Sequence, residues 1–390
     1  MTNPLQLLEK FRASFFASAT IYRAPGRVNL IGEHTDYNDG FVLPAAIGFY
    51  CWVAAAPRRD RRLVIHSENF NETVEANLDS LSAIAKNHWS DYPFGVAWAV
   101  QNAGKRLKGA NLLISGDVPL GAGLSSSAAI EVAVGFALLH QSGLPIDRLE
   151  LAQMCQKAEN EFVGARCGIM DQFVACQGRA SHALLLDCRS LEYKPVKLSP
   201  GITLMICNTM VKHELASGEY NRRRADCEEA VRTLRKVLPE IRALRDVTLP
   251  QLEQHRALLN PKVYSRCHHV VTEDNRTQSA VRAFESGDLR VLGQLMRESH
   301  RSLRDDYEVS CKELDQLVET AAAQPGVIGA RMTGGGFGGC TINVVESAAV
   351  EAFQQTVAAE YLAQTGLKPE IYVSAASDGV QQVEVNSFGA

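Results

Sequence analysis

Through the first third of the chain, apolar residues come in short bursts instead of helical stripes. Ile21 to Ala24, Phe41 to Ala46, Tyr50 to Ala56, Leu63 to His66 and Leu112 to Ser115 are apolar or β-branched runs. Gly, Pro, Asn and Asp clusters such as Asn38-Asp39-Gly40 separate them, so strands are predicted. Ahead of them, Leu5 to Phe16 mixes apolar positions with Glu9, Lys10 and Arg12, the pattern of a short amphipathic helix. A helical period takes over from Ser126 to His140 and is stopped by Gly143 and Pro145. Asp147 with Glu150 three residues on predicts a capping box for a further helix that runs to Phe162 and closes at Gly164.

The second half follows a different order. Ile202 to Asn208 reads as a buried strand, and long polar-amphipathic helices follow as far as Arg304. A helix at Leu314 to Ala323, strands at Val327 to Met332 and Cys340 to Val345, a helix at Ala348 to Tyr361 and a strand at Glu370 to Ser374 complete it. Strand, helix, strand, strand, helix, strand is the split βαβ order of ferredoxin-like folds, here with helices inserted after the first strand. Tyr193-Lys194-Pro195 and Ser199-Pro200-Gly201 interrupt the pattern and place a domain boundary near residues 190 to 200. A chain of 390 residues exceeds what one core usually supports, which agrees with two domains.

Composition narrows the function by exclusion. Forty basic against 44 acidic residues, a net charge of -4, give no global attraction for nucleic acid or an anionic membrane. Attraction for a phosphate has to come from a local site. No run of about 18 apolar residues is present, and the first segment lacks the uninterrupted apolar stretch of a secretory signal. The ten cysteines form no Cys-x-x-Cys pair and are expected to be reduced thiols in a cytoplasmic protein. No protein partner is implied.

Three clusters carry candidate chemistry. Pro119-Leu120-Gly121-Ala122-Gly123-Leu124-Ser125-Ser126-Ser127 follows a strand and opens an apolar helix. A helix start offers unpaired N–H groups and a partial positive charge, and Gly121 and Gly123 let the backbone approach an anion. The three hydroxyls offer one for capping and others for phosphate oxygens or a metal ion, although a serine-capped helix after a glycine turn would look the same. With no Gly-Lys-Ser/Thr here, a Walker-type loop is excluded. Thr333-Gly334-Gly335-Gly336-Phe337-Gly338-Gly339 joins two strands with more glycine than a hairpin needs, so its backbone is expected to press against something. Arg27, Asn29, Glu33, His34, Asp36 and Asn38 crowd the third segment, where carboxylates could tell one sugar hydroxyl from another. His268-His269 reads as a plain helix pair.

Together these segments resemble the motifs of the GHMP small-molecule kinases. Gly26-Arg27-Val28-Asn29-Leu30-Ile31-Gly32-Glu33-His34-Thr35-Asp36-Tyr37 closely resembles the galactokinase signature, with Cys167-Gly168-Ile169-Met170-Asp171-Gln172 and Gly218-Glu219-Tyr220-Asn221 following in the expected order. The resemblance implies an α+β, two-domain GHMP kinase fold. A mixed-sheet N-terminal domain would span 1–195, and a ferredoxin-like C-terminal domain with a helical insertion would span 196–390. It implies an ATP-dependent kinase acting on the anomeric hydroxyl of galactose. Asp171 would face that hydroxyl, as base or as orienting group, and Arg27 would be its partner. Glu33, His34, Thr35, Asp36 and Tyr220 would bind the sugar. Gly121, Ala122, Gly123, Leu124, Ser125, Ser126 and Ser127 would wrap the ATP phosphates, Ser67 would add a nucleotide contact, and Ser127 with Glu159 would hold Mg2+. The 332–340 loop would lie over the nucleotide loop. A sugar sensor without turnover and a kinase for a related sugar such as N-acetylgalactosamine share these motifs and stand as alternatives.

Overall fold

The computed structural model describes residues 2–212 and 216–384. Helix α1 (Pro4–Phe15) leads into strands β1 (Thr20–Asn29), β2 (Phe41–Val42), β3 (Pro44–Pro57), β4 (Arg62–Ser67) and β5 (Glu72–Asn77). Then come α2 (Asp91–Asn102), β6 (Ala110–Gly116), α3 (Ser126–Ser142), α4 (Arg148–Lys157) with a π-helical turn (Ala158–Val163), and α5 (Met170–Gln177). Strands β7 (His182–Asp187), β8 (Tyr193–Lys197) and β9 (Ile202–Lys212) precede the helices α6 (Ala216–Leu234), α7 (Leu249–Gln254), α8 (Pro261–Ser286), α9 (Leu289–Asp305) and α10 (Lys312–Ala322). The chain ends with β10 (Val327–Met332), β11 (Gly338–Glu346), α11 (Val350–Thr365), β12 (Glu370–Ser374) and β13 (Gln381–Val383).

The first sheet has the order β13-β1-β3-β6-β4-β5 and is mixed, because β4 runs parallel to β6 while its other pairs are antiparallel. The β9 to β12 sheet has the order β10-β11-β9-β12, all antiparallel, which is the ferredoxin-like 4-1-3-2 arrangement with α6 to α10 inserted after its first strand. A small third sheet has the order β2-β7-β8.

Several local expectations are corrected by pairing. The two strands predicted at 41–46 and 50–56 are largely one, β3, because β1 pairs with it on both sides of a register shift that sets Ile47 to Phe49 opposite Gly26. Tyr193-Lys194-Pro195 is no break. It lies in β8, an edge strand, where a residue without an N–H costs no ladder bond. The helix expected to run to Phe162 leaves α-geometry at Ala158, and Asp147 caps it alone, accepting from the amides of Leu149 and Glu150. The return of β13 to the edge of β1 has no sequence signal: three polar-flanked residues are placed there by Val380, fully buried in the first core.

Two features of packing fix the site. First, backbone meets backbone between the loop at 121–125 and the glycine-rich segment 334–339 that leads into β11. Gly334 and Gly339 have φ of +82° and +81°, and a Cβ on them would stand 2.8 Å from the Gly123 carbonyl and 2.9 Å from the Ala122 carbonyl. From the other side, at the register shift beside Gly26, the Arg27 amide meets the Leu124 carbonyl at 3.0 Å. The glycines therefore serve contact between two loops. Second, a fully buried polar layer from α8 and α9 backs the 29–36 segment. Glu273 accepts from the Gly32 amide at 2.9 Å and from Ser299 Oγ at 2.6 Å, and His269 Nε2 meets the Glu33 carbonyl at 3.1 Å.

Gly339→Ala should lower stability by at least about 2 kcal/mol, since left-handed strain for a side chain adds to the collision with Ala122. Gly48→Ala, with open space around it, should be neutral or slightly stabilising. Urea midpoints of the two variants check this. Burial pushes His269 down to about 4 from an ordinary 6.5, against the pull of Glu273. The unfolded chain thus binds a proton there that the native state refuses, so this contribution is complete above about pH 6.5 and is lost as pH falls towards 4. Over that interval the stability of His269→Gln should fall less steeply than that of the parent, by up to about 1.4 kcal/mol per pH unit. Equal slopes in pH-resolved urea titrations would contradict it.

Candidate active site

Arg27 and Asp171 come from opposite ends of the first domain's sequence and meet as a two-pronged ion pair. Arg27 Nε reaches Asp171 Oδ1 at 2.7 Å and Nη2 reaches Oδ2 at 2.7 Å, while Nη1 donates to the Gly123 carbonyl at 2.6 Å. Arg27 is almost fully buried at the end of β1, and the Asp171 side chain keeps 25% of its surface open from the first turn of α5. Burial alone would lower the Arg27 pKa, but Asp171 and Glu33 outweigh it and raise the value. Ser125 gives Asp171 a third hydrogen bond. The hydroxyl expected for capping or phosphate is thus committed to the carboxylate, and no side chain caps α3. The first-turn amides of α3 thus follow a residue with φ of +60° and take no side-chain cap, the local chemistry an anion requires.

Asp171 opens onto a cavity of about 530 Å³. Arg27, Glu33, His34, Asp36, Tyr220 and Glu159 line it too, so all the expected catalytic and sugar-binding residues but Thr35 converge there, with Glu159 beside them. Glu33 is held by the glycine loop: its Oε1 accepts from the Gly334 amide at 2.7 Å and from Thr333 Oγ1 at 3.2 Å, with fully buried Arg331 at 3.5 Å. His34 sits at φ of +64° with Nδ1 at 2.7 Å from the Tyr37 hydroxyl and Nε2 unpartnered among the described residues. Burial, then the neighbouring His269 and Arg223, lowers its pKa and keeps it neutral. Tyr220 comes in from α6 with its ring 5.6 Å from that of His34. Gly168 is required beside Asp36, because a Cβ there would collide with the carboxylate. Thr35 is the exception. Its hydroxyl donates to the Gly32 and Phe41 carbonyls at 2.8 and 2.7 Å, it is fully buried, and it shapes the turn without reaching the cavity.

A second, mostly apolar cavity of about 110 Å³ adjoins the first at Tyr92, which lines both. Ser67, Ser126 and Ser127 border it, along with Phe70 and Trp89, whose rings stack 5.6 Å apart at 5°. Gly121 and Gly123 are exposed and have positive φ, while Ala122 and Leu124 bury their side chains in the core, so this loop offers backbone outward. Sequence reasoning missed Phe70, Trp89 and Tyr92. They lie in two turns and at a helix start with no shared pattern, and only the tertiary structure brings them together.

The floor between the cavities is crowded with carboxyl groups. Burial and then Asp171 push both Asp36 and Glu159 up to about 7, and burial with Glu159 pushes the fully buried Glu131 well above the carboxylate range. Hydrogen bonds from Ser127, Cys167 and Gln172 pull Glu159 partly back. Gln172, also missed from the sequence, donates through Nε2 to both Glu159 and Glu131. Glu159 lies on the π-helical turn, a distortion often found at functional positions. Among the described residues no cluster of three or more protein ligands forms a metal cage. One hydroxyl and one carboxylate in a crowd of carboxyl groups suit a hard cation that keeps waters and phosphate oxygens as its other ligands.

Three family descriptions match the chain: the galactokinase galactose-binding signature over residues 9–57, the GHMP kinases N terminal domain over 91–179 and the GHMP kinases C terminal over 280–363. The chain is 50% identical to the galactokinase of Chloroflexus aggregans over 93% of each chain. It is 46% identical to that of Pasteurella multocida over 95% of this chain and 96% of the other. The crystal structure of Lactococcus lactis galactokinase complexed with galactose superposes with a TM-score of 0.94 at 39% identity, covering 97% and 99% of the two chains. Methanococcus jannaschii mevalonate kinase, at 16% identity and a TM-score of 0.66 over 93% and 99%, shares the fold. With its signature on β1 to β3, its mixed and ferredoxin-like sheets, and these relatives along nearly its whole length, the chain belongs to the galactokinase family of the GHMP kinases.

Proposed function

We propose that the protein transfers the γ-phosphoryl group of ATP directly to the anomeric hydroxyl of galactose, giving galactose 1-phosphate and ADP. The observation that carries this is the position of Asp171. It opens onto the acid-lined cavity, and one hydrogen bond from Ser125 ties it to the start of α3 beside the apolar cavity. In this reading the sugar lies among Glu33, His34, Asp36 and Tyr220, whose oxygens and ring nitrogen match its hydroxyls. The base of the nucleotide lies by Phe70, Trp89 and Ser67, and its phosphates meet the backbone of 121–127 and the first-turn amides of α3.

Asp171 takes a hydrogen bond from the anomeric hydroxyl and draws off its proton as the new P–O bond forms. Arg27 holds the carboxylate by both oxygens, which fixes its direction, and offsets charge on the moving group. The work is positioning and charge stabilisation, and it needs no phosphorylated enzyme. Ser127 and Glu159 would hold Mg2+, which when bound would neutralise the β- and γ-phosphate oxygens. Tyr220 and the glycine loop contribute from residues 196–390 to a site whose remainder lies in residues 1–195, and we propose that division as the working boundary between domains. We place the protein in the cytoplasm, with all ten cysteines unbridged and no described helix long and apolar enough to cross a membrane in support.

Asp171→Ala should cut turnover on galactose roughly 10²–10⁴-fold with the KM for ATP within threefold. ADP release by a coupled assay and phosphorus NMR of the product read this out. Activity within twofold of the parent removes Asp171 from the chemistry, and a product phosphorylated elsewhere on the ring overturns the acceptor assignment. In the same assay Ser127→Ala should raise the Mg2+ concentration needed for half-maximal rate.

A further inference from the structure

Behind the sugar-facing cavity, α8 presents two side chains one helical turn apart to a single stretch of backbone. Glu273 Oε1 accepts the Gly32 N–H at 2.9 Å, and His269 Nε2 lies 3.1 Å from the Glu33 carbonyl. A carbonyl can only accept, so Nε2 carries the proton. Both side chains are fully buried and neither lines the cavity. Each is fixed in turn: Ser299 Oγ and Arg276 Nε bond Glu273 at 2.6 and 2.7 Å, and Ser302 Oγ stands 3.0 Å from His269 Nδ1.

The backbone they grip needs holding. Gly32 has φ of +101°, and a Cβ there would lie 2.7 Å from the Phe41 carbonyl oxygen. His34, which has a side chain, sits at φ of +64°. Such a conformation persists only where the surroundings over-determine it. Glu33, between the two, has its carboxylate tied to the Gly334 amide and its own carbonyl tied to His269. A release of the Gly32 to Glu33 peptide would swing the Glu33 and His34 side chains together, while nothing in the clamp touches Ser67, Ser126 or Ser127.

We propose that His269 and Glu273 are positioning residues for the sugar: by clamping the Gly32–Glu33 backbone they set where Glu33 and His34 stand in the cavity. This rests on the reading of that cavity as the sugar site. Two variants of one residue separate a positional role from a merely structural one. His269→Gln keeps an N–H that reaches the Glu33 carbonyl, whereas His269→Asn is too short to reach it but still meets Ser302. The Asn variant should raise the KM for galactose roughly tenfold or more, as expected when a binding group is displaced, with the KM for ATP within threefold. The Gln variant should restore the sugar KM to within threefold. Glu273→Gln, which keeps an acceptor for the Gly32 amide, should also stay within threefold, and Glu273→Ala should follow His269→Asn.

Should the alanine variant not fold, the His269 pair carries the decision alone. Both KM values moving together, or a sugar KM within twofold in His269→Asn, overturns the clamp. Glu33→Gln run alongside locates any failure. If it leaves the sugar KM unchanged, the cavity assignment falls and takes the clamp with it. If it raises that KM while His269→Asn does not, the clamp alone falls.

Discussion

Arg27 is the side chain on which three separate pieces of the chain converge. Its guanidinium binds the Asp171 carboxylate through two nitrogens and the Gly123 carbonyl through the third, and its backbone amide binds the Leu124 carbonyl. Strand β1, the glycine-serine loop and the start of α5 are therefore registered against one another at one residue. Removing one member of a buried, paired charge typically costs about 3–5 kcal/mol, because the other is left without compensation. The open edge of Asp171 is the part the packing leaves for chemistry, and its direction is inherited from Arg27.

Around that pair the protein gathers more carboxyl groups than it has cations to pair with them. Glu33, Asp36, Glu131, Glu159 and Asp171 lie near one another, and burial raises four of them above their ordinary range. A folded core does not collect carboxyl groups for stability, since each of those four is favoured protonated there and opposes folding as pH rises through its shifted value. The arrangement is understandable as preparation for ligands: sugar hydroxyls that donate hydrogen bonds, and a cation that travels with phosphate. Arg331, buried beside Glu33, supplies charge compensation from the second half of the chain.

The glycine-rich segment that leads into β11 shows how the two halves are joined at the site. Gly334 and Gly339 are needed because the carbonyls of Gly123 and Ala122 lie where side chains would be. The cluster, expected from its glycine content to press against something, is thus a backing plate for the 121–125 loop, while its Gly334 amide orients Glu33. The buried layer from α8 and α9 has a similar supporting position behind Gly32 and Glu33.

The sequence by itself determined the α+β class, the ferredoxin-like order of the last strands, and most of the residues that meet in the cavity. These are legible because periodicity, glycine clusters and the run from Gly26 to Tyr37 are local properties. It did not determine that Thr35 turns inward to hold a loop or that Ser125 serves Asp171. Nor did it show that Pro195 sits harmlessly on an edge strand, or that His269 is more than half of a helix pair. Phe70, Trp89, Tyr92 and Gln172 were also invisible as site residues. Each of these depends on which distant backbone or side chain stands opposite, as with the contact from His269 to Glu33, 236 residues away. Local pattern names the groups available, and only long-range packing decides which face ligands and which are committed to holding the others in place.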